Sequence, residues 1–299
     1  MIDIINLTKH FDNQPILNGV SLSVKKGSIY GLLGSNGAGK TTLLNIAAGV
    51  YRQDKGNVFI NEETVFENLD IKDKMVFIPD ALYFFPQYTI EQSAAFYRNV
   101  YSGWNEERFE ALREAFDIDT SKKVHKLSKG MQRQVSFWLS LSAMPDILIL
   151  DEPFDGLDPV MRKKIKNLLV QDVAERGMTI IISSHNLREV EDLCDHIGIL
   201  HKGSLLLEKD IDDLKSDVHK VQLAFKNKVP STLFDHIQLL YKEERGSVML
   251  AIVRGDYEEI TSIFQQYDPV IYDILPLTLE EIFIYEMGDR GYAIKNILV

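Results

Sequence analysis

Eight consecutive residues, Gly34, Ser35, Asn36, Gly37, Ala38, Gly39, Lys40 and Thr41, combine three glycines with a cation and a hydroxyl. The glycines let the backbone curl so that successive N–H groups point inward, and a helix starting there adds partial positive charge, which together make a cradle for an anion. The spacing is that of a P-loop, in which Lys40 would neutralise the β and γ phosphates of ATP and the Thr41 hydroxyl would ligate Mg²⁺, with Thr42 beside it. A strand-like run, IYGLL, precedes the loop and a helical run, TTLLNIAAGV, follows, which is the context the motif needs and a chance Gly-rich turn lacks. Farther on, the apolar run ILIL delivers Asp151 and Glu152. Alone, two carboxylates after a strand read as a solvated turn or helix cap. Behind a P-loop, Asp151 becomes the outer partner of Mg²⁺ and Glu152 the general base that polarises an attacking water.

Both motifs must be carried to one edge of a scaffold. Residues 28–33, 74–78, 147–150, 179–183 and 197–200 read as strands, and runs such as ILIL and TIIIS are apolar at successive positions, as parallel strands covered on both faces are. Such sheets place ligands beyond the carboxyl ends of their strands. Between 89 and 141 helical spacing replaces the strand signal, and Phe96, Val100, Phe109, Leu112, Phe116, Val135 and Leu139 are the predicted core positions. Beyond 205 the pattern predicts strands at 219–225 and 248–253, a helix at 257–267 and a terminal helix at 277–287. The expected fold class is α/β, a P-loop NTPase core over 1–208 with a helical subdomain inserted at about 82–141, followed by a small α+β domain at 216–299.

Composition narrows the function classes. A net charge of -11 argues against a nucleic-acid partner held by phosphate contacts, which need clustered Lys and Arg rather than an acidic surplus, although local basic patches stay open. The single cysteine, Cys194, can form no internal disulfide and has no neighbouring Cys for a metal site, so it reads as a small buried hydrophobe in a reducing compartment. The start, MIDIINLTKHF, lacks the basic and apolar regions of a secretion signal. The most apolar stretch, 135–150, is interrupted by Ser136, Ser140, Ser142, Pro145 and Asp146 and falls short of the roughly 18 to 20 residues of a membrane helix. Work at a membrane would need another chain to supply the span.

Between the two phosphate-related motifs stands Leu127-Ser128-Lys129-Gly130-Met131, which resembles the LSGGQ signature of the ATP-binding cassette (ABC) ATPases. Other motifs of that family follow in order: Phe11 resembles the aromatic that stacks on adenine, residues 154–158 the D-loop, and His185, in the run IISSH, the switch histidine. The resemblance covers about 1–207, and as an ordered set it is specific. It implies two cassettes facing head to tail, as a homodimer or a heterodimer with a second ABC ATPase. The Ser128 hydroxyl, the Gly130 N–H and the following helix N-terminus would complete the partner's ATP site, Asp158 would organise the interface, and His185 would hydrogen-bond the γ phosphate. It implies also a transmembrane permease as partner, a place on the cytoplasmic face of the cell membrane through that permease alone, and ATP and Mg²⁺ as cofactors. LSKGMQRQ looks most like exporter-type cassettes with separate permeases, among them peptide exporters of the phenol-soluble-modulin kind, so amphipathic or antimicrobial peptides or drugs are the expected cargo. Residues 277–287 resemble the tail of such exporters' cassettes, where dimer contact or regulation is the implied work. A cassette acting on ribosomes or DNA would carry a second cassette or a long coiled coil, and the sequence contains neither.

The departures leave alternatives open. Where the family has a Gln that reaches Mg²⁺ and the lytic water, this chain has Asp80, which could hold Mg²⁺ by charge but could not donate a hydrogen bond. Asp80 is therefore either a metal partner or a surface residue starting a turn, and a module impaired in hydrolysis stays a competing reading. Lys129 either adds charge near the γ phosphate or lies in solvent. Phe11 is either the adenine platform or core. The aromatic run Tyr83-Phe84-Phe85 is either a docking patch for a permease helix or buried under the helical subdomain.

Overall fold

In the computed structural model, which describes residues 1–226, 229, 230, 232–282 and 284, the first strands pair with each other. β1 (Ile2–Phe11) and β2 (Gln14–Val24) form an antiparallel hairpin turned by Asp12 and Asn13 at φ 47° and 64°, short polar types that tolerate the left-handed region. Register shifts between Ile4 and Leu7 and between Leu7 and Lys9 break the period of two, so the apolar pattern does not announce this pair. β3 (Ile29–Leu33) feeds the glycine loop and α1 (Lys40–Ala47). β4 (Lys55–Ile60) and β5 (Glu63–Thr64) complete a sheet of order β2-β1-β4-β5, followed by α2 (Leu69–Asp73) and β6 (Met75–Ile78). Next come α3 (Ile90–Val100), α4 (Glu106–Phe116) and α5 (Lys129–Ser142), then β7 (Ile147–Asp151), α6 (Pro159–Arg176), β8 (Thr179–Ser184), α7 (Leu187–Glu191), β9 (His196–His201) and β10 (Ser204–Asp210).

The second sheet runs β10-β9-β3-β8-β7-β6, in which β9, β3, β8, β7 and β6 are parallel to one another. Its register fixes where chemistry can happen: Leu33 pairs with Ser184, Ser183 with Asp151, and Leu150 with Ile78. The carboxyl ends of β3, β6, β7 and β8 therefore finish level, and the loops that leave them share one edge. Behind that edge Leu7, Leu17 and Val20 of the hairpin, Leu43 and Leu44 of α1, and Ile149 and Ile181 of the parallel strands form one buried cluster. Each such side chain contributes roughly 1.5–3 kcal/mol by leaving water.

The helical segment packs around Trp138 of α5, which stacks on Phe109 at 4.9 Å and donates its indole N–H to the Phe109 carbonyl at 2.8 Å. Phe109, Leu112, Phe116, Val135 and Leu139 are buried as the spacing predicts. Phe96 and Val100 are not: both are exposed, because α3 turns Ile90, Ser93 and Ala94 inward instead. Asp172 on α6, 2 % exposed, receives Arg108 of α4 at 2.9 Å and Arg176 at 3.6 Å, and burial pushes its carboxyl up against the pull of those two cations.

The chain divides into two compact units, Met1–Glu208 and Lys209–Val299. In the second, α8 (Ile211–Ser216) precedes β11 (Val218–Ala224), β12 (Gln238–Arg245), β13 (Val248–Arg254), α9 (Tyr257–Gln265) and β14 (Ile271–Leu275), with sheet order β12-β13-β11-β14, all neighbours antiparallel. Val221, Leu223, Met249, Ala251, Val253, Ile260 and Phe264 make its own core. Of the terminal helix predicted at 277–287, residues 279–282 and 284 are helical, 277 and 278 precede the helix, and 283 and 285–287 lie outside the described residues. Among the described residues no helix is long and apolar enough to cross a membrane. Cys194 is buried, and burial pushes its thiol far up.

Candidate functional site

The glycine loop leaves β3 and turns into α1 through Gly39, whose φ of 107° an L side chain rarely adopts. Ser35, Asn36, Gly37, Gly39, Lys40, Thr41 and Thr42 line an open cleft of about 340 Å³, together with Asp80 and Glu152. Gly34 and Ala38 shape the loop from within: the Gly34 carbonyl accepts the Lys40 ammonium at 2.6 Å, and the Ala38 N–H closes a turn on the Ser35 carbonyl at 3.1 Å. Lys40 is only 6 % exposed, and its Nζ also stands 3.0 Å from Glu152 Oε1.

From the other side come β7 and β8. Glu152, at φ 44°, turns the chain sharply after Asp151, so its carboxylate reaches both Lys40 and His185 Nδ1, the latter at 2.9 Å from Oε2. Asp151 is fully buried. Its Oδ1 accepts the Ser183 hydroxyl at 2.6 Å, and Ser183 Oγ in turn accepts the Glu152 N–H at 3.0 Å. The other oxygen, Asp151 Oδ2, is buried without a hydrogen-bond partner. An unsatisfied buried carboxylate oxygen is costly unless a cation or its water meets it. With the Thr41 hydroxyl on the cleft wall, these oxygens are the hard donors that Mg²⁺ takes, so the residues fit the ion that the loop chemistry requires.

Asp80 lies just past β6, exposed, with its carboxylate 3.3 Å from the Arg133 guanidinium. It also lines the cleft of Lys40. Phe11 is 42 % exposed, edge-on to Tyr51 at 5.8 Å and beneath the Lys9 ammonium at 5.3 Å, so it is not core. Tyr83 and Phe85 are exposed as well, at 78 % and 41 %, and Phe85 contacts Tyr88 and Phe96 at 5.0 Å each. The burial alternative therefore fails for Tyr83 and Phe85, while Phe84 between them is half-buried.

Ser128, Gly130 and Asp158 stand apart from the cleft of Lys40. Ser128 caps α5 by accepting the Met131 N–H at 3.3 Å, and Asp158 caps α6 by accepting the N–H groups of Val160 and Met161 at 3.0 Å. A Cβ on Gly130 would meet the Gly156 carbonyl oxygen at 2.6 Å, which explains why this position keeps its glycine while exposed Lys129 departs from the motif. Two contributors escape sequence reasoning. Ser183 is visible only as a polar residue in the otherwise apolar run TIIISS, and its role follows from the β7/β8 register. Arg133 leaves no sequence signal, because its partners are carbonyls more than fifty positions away.

Comparison with known proteins agrees with this geometry. A family model described as ABC transporter matches residues 17–155. The chain is 33% identical to the ABC transporter ATP-binding protein YtrB of Bacillus subtilis (strain 168), covering 97% of this chain and 99% of the relative. It is 31% identical to the bacitracin transport ATP-binding protein BcrA of Bacillus licheniformis, covering 94% of each. Among solved structures, an ATP-binding subunit of an ABC transporter superposes with a TM-score of 0.67 at 26% identity, over 72% of this chain and 92% of that one. The chain therefore belongs to the ABC transporter ATP-binding proteins, the family of Mg²⁺-dependent cassettes that bind and hydrolyse ATP.

Proposed function

We propose that this ABC transporter subunit energises an exporter: it dimerises on ATP, hydrolyses it, and rocks a separate transmembrane permease from the cytoplasmic face of the membrane. The observation that carries the catalytic part is Glu152, held between Lys40 and His185 beside an Asp151 oxygen with no partner. When bound, the nucleotide and Mg²⁺ supply the reacting phosphate and the charge that makes it electrophilic. Lys40, 3.0 Å from Glu152, is the group to move onto the β and γ phosphates, which frees the Glu152 carboxylate to take a proton from water. His185 Nδ1 orients that carboxylate, and sensing the γ phosphate is the role we assign to the same ring. Asp151 and Thr41, with Asp80 beside them, offer the oxygens for the metal, and exposed Phe11 a face for adenine.

Because Ser128 and Gly130 are not in the cleft of Lys40, their signature role requires a second cassette, with Asp158 at the junction. Exposed Tyr83, Phe85 and Phe96 form the aromatic surface that we assign to the permease. The likeness to BcrA, named for bacitracin transport, supports an amphipathic or antimicrobial peptide or drug as cargo.

Two measurements test this. Glu152→Gln should lower ATP turnover by roughly 10²- to 10⁴-fold while nucleotide still binds; equal rates would sink the catalytic assignment. A polytopic membrane protein should copurify with the chain from native membranes, and recovery with ribosomes instead would sink the exporter.

A further inference from the structure

Arg133 lies one turn inside α5 and is 5 % exposed, yet its guanidinium is turned toward the end of β6. Nη1 donates to the Pro79 carbonyl at 2.9 Å, and Nη2 donates to the Asp80 carbonyl at 2.9 Å and to Asp80 Oδ1 at 3.3 Å. One planar fork thus fixes both the backbone and the side chain of the residue that lines the cleft beside Thr41 and Glu152. A buried guanidinium needs partners for its donors, and the two carbonyls take one from each terminal nitrogen. The third contact has a different consequence. An anionic side chain lining a triphosphate cleft is repelled unless a cation offsets it, and Arg133 engages one carboxylate oxygen of Asp80.

We propose that Arg133 is a positioning residue that holds the Asp80 carboxylate, charge-compensated and aimed, at the Mg²⁺ side of the nucleotide cleft. The pair answers the substitution at this position: a neutral amide would need no guanidinium, whereas a carboxylate does. It also ties the helix capped by Ser128 to the chain's own nucleotide cleft through one side chain. This rests on the Mg²⁺ and ATP assignment above.

The test is binding of the fluorescent nucleotide mant-ATP to the full chain, in Mg²⁺ and in EDTA, for wild type, Arg133→Lys, Asp80→Asn and the double variant. Lys keeps the charge but cannot make the fork. In EDTA the single variants should bind no more weakly than wild type. In Mg²⁺ each should lose roughly 10-fold of the affinity that the metal adds, as removal of a supporting group around a metal does, and the double variant should lose no more than Asp80→Asn alone. An Arg133→Lys protein with wild-type Mg²⁺ dependence, or penalties that add in the double variant, overturns the proposal. Should Arg133→Lys fail to fold, Asp80→Glu takes its place, since the longer carboxylate keeps the charge but leaves the fork; wild-type behaviour there overturns the proposal equally. Wild type that binds no mant-ATP in either condition would instead sink the nucleotide assignment itself.

Discussion

Ser183 does the quietest work in the cleft. Its hydroxyl donates to Asp151 and accepts from the Glu152 backbone, so one oxygen sets both the proposed metal-side carboxylate and the turn that aims the proposed general base. Ser183→Ala leaves a fully buried carboxylate oxygen and a backbone N–H without partners, at a cost of about 1–3 kcal/mol. The expected outcome is a lower melting temperature together with a roughly 10-fold higher Mg²⁺ requirement for turnover. Thermal denaturation and a Mg²⁺ titration check the two effects separately. Most of the cleft was legible at this scale: the glycines, Lys40 and Thr41 are neighbours in sequence, as are Asp151 and Glu152, and adjacency is what a motif records. Ser183 and Arg133 act across the sheet or across half a cassette, and residue type alone cannot say so.

Among the elements, strands buried on both faces read cleanly, because a short unbroken apolar run between polar turns fits a covered strand better than any amphipathic helix. α3 read less well. It carries apolar or aromatic residues on more than one face, and Phe96 with Val100 at a spacing of four looks as much like a core face as the Ile90, Ser93 and Ala94 side that is buried. β1 and β2 were illegible because their bulges break alternation. The junction of α2 with the helical segment has a pH signature. The Ser102 hydroxyl and N–H both donate to Asp73 at the end of α2, and the hydroxyl first, then the N–H, hold its carboxyl below its usual 3.8. A carboxyl depressed by folding stabilises the fold above its unfolded value and loses that contribution as pH falls through the folded one. Asp73→Asn should therefore flatten the acid limb of melting temperature against pH below about 4, with little change in slope at neutral pH.

For the whole molecule, the proposed head-to-tail pairing gives one chain two unlike halves of a site, the cleft of Lys40 and the capped start of α5. Assembly then becomes a readout of ligand state. In the Glu152→Gln background, ATP and Mg²⁺ should convert monomer to dimer, and adding Ser128→Glu should abolish that conversion by setting a negative charge against the γ phosphate. Loss of the cap costs only about 1 kcal/mol, so the monomer should still fold and bind mant-ATP. Light scattering after size exclusion distinguishes the two, and a dimer that survives Ser128→Glu would count against a shared site. The second unit, with its own core and its antiparallel sheet, was recognisable as α+β from alternation at 219–225 and 248–253, but its edge strands β12 and β14 were not.

The contact between Gly130 and Gly156 carries a last consequence, for how this sequence can drift. Lys129 and Met131 already differ from the family's residues, and the side chain of Lys129 is exposed. Gly130 faces a carbonyl oxygen that an added methyl would meet at 2.6 Å. Neutral variation can therefore accumulate on either side of that glycine and not at it, so within this motif divergence in letters need not mean divergence in use.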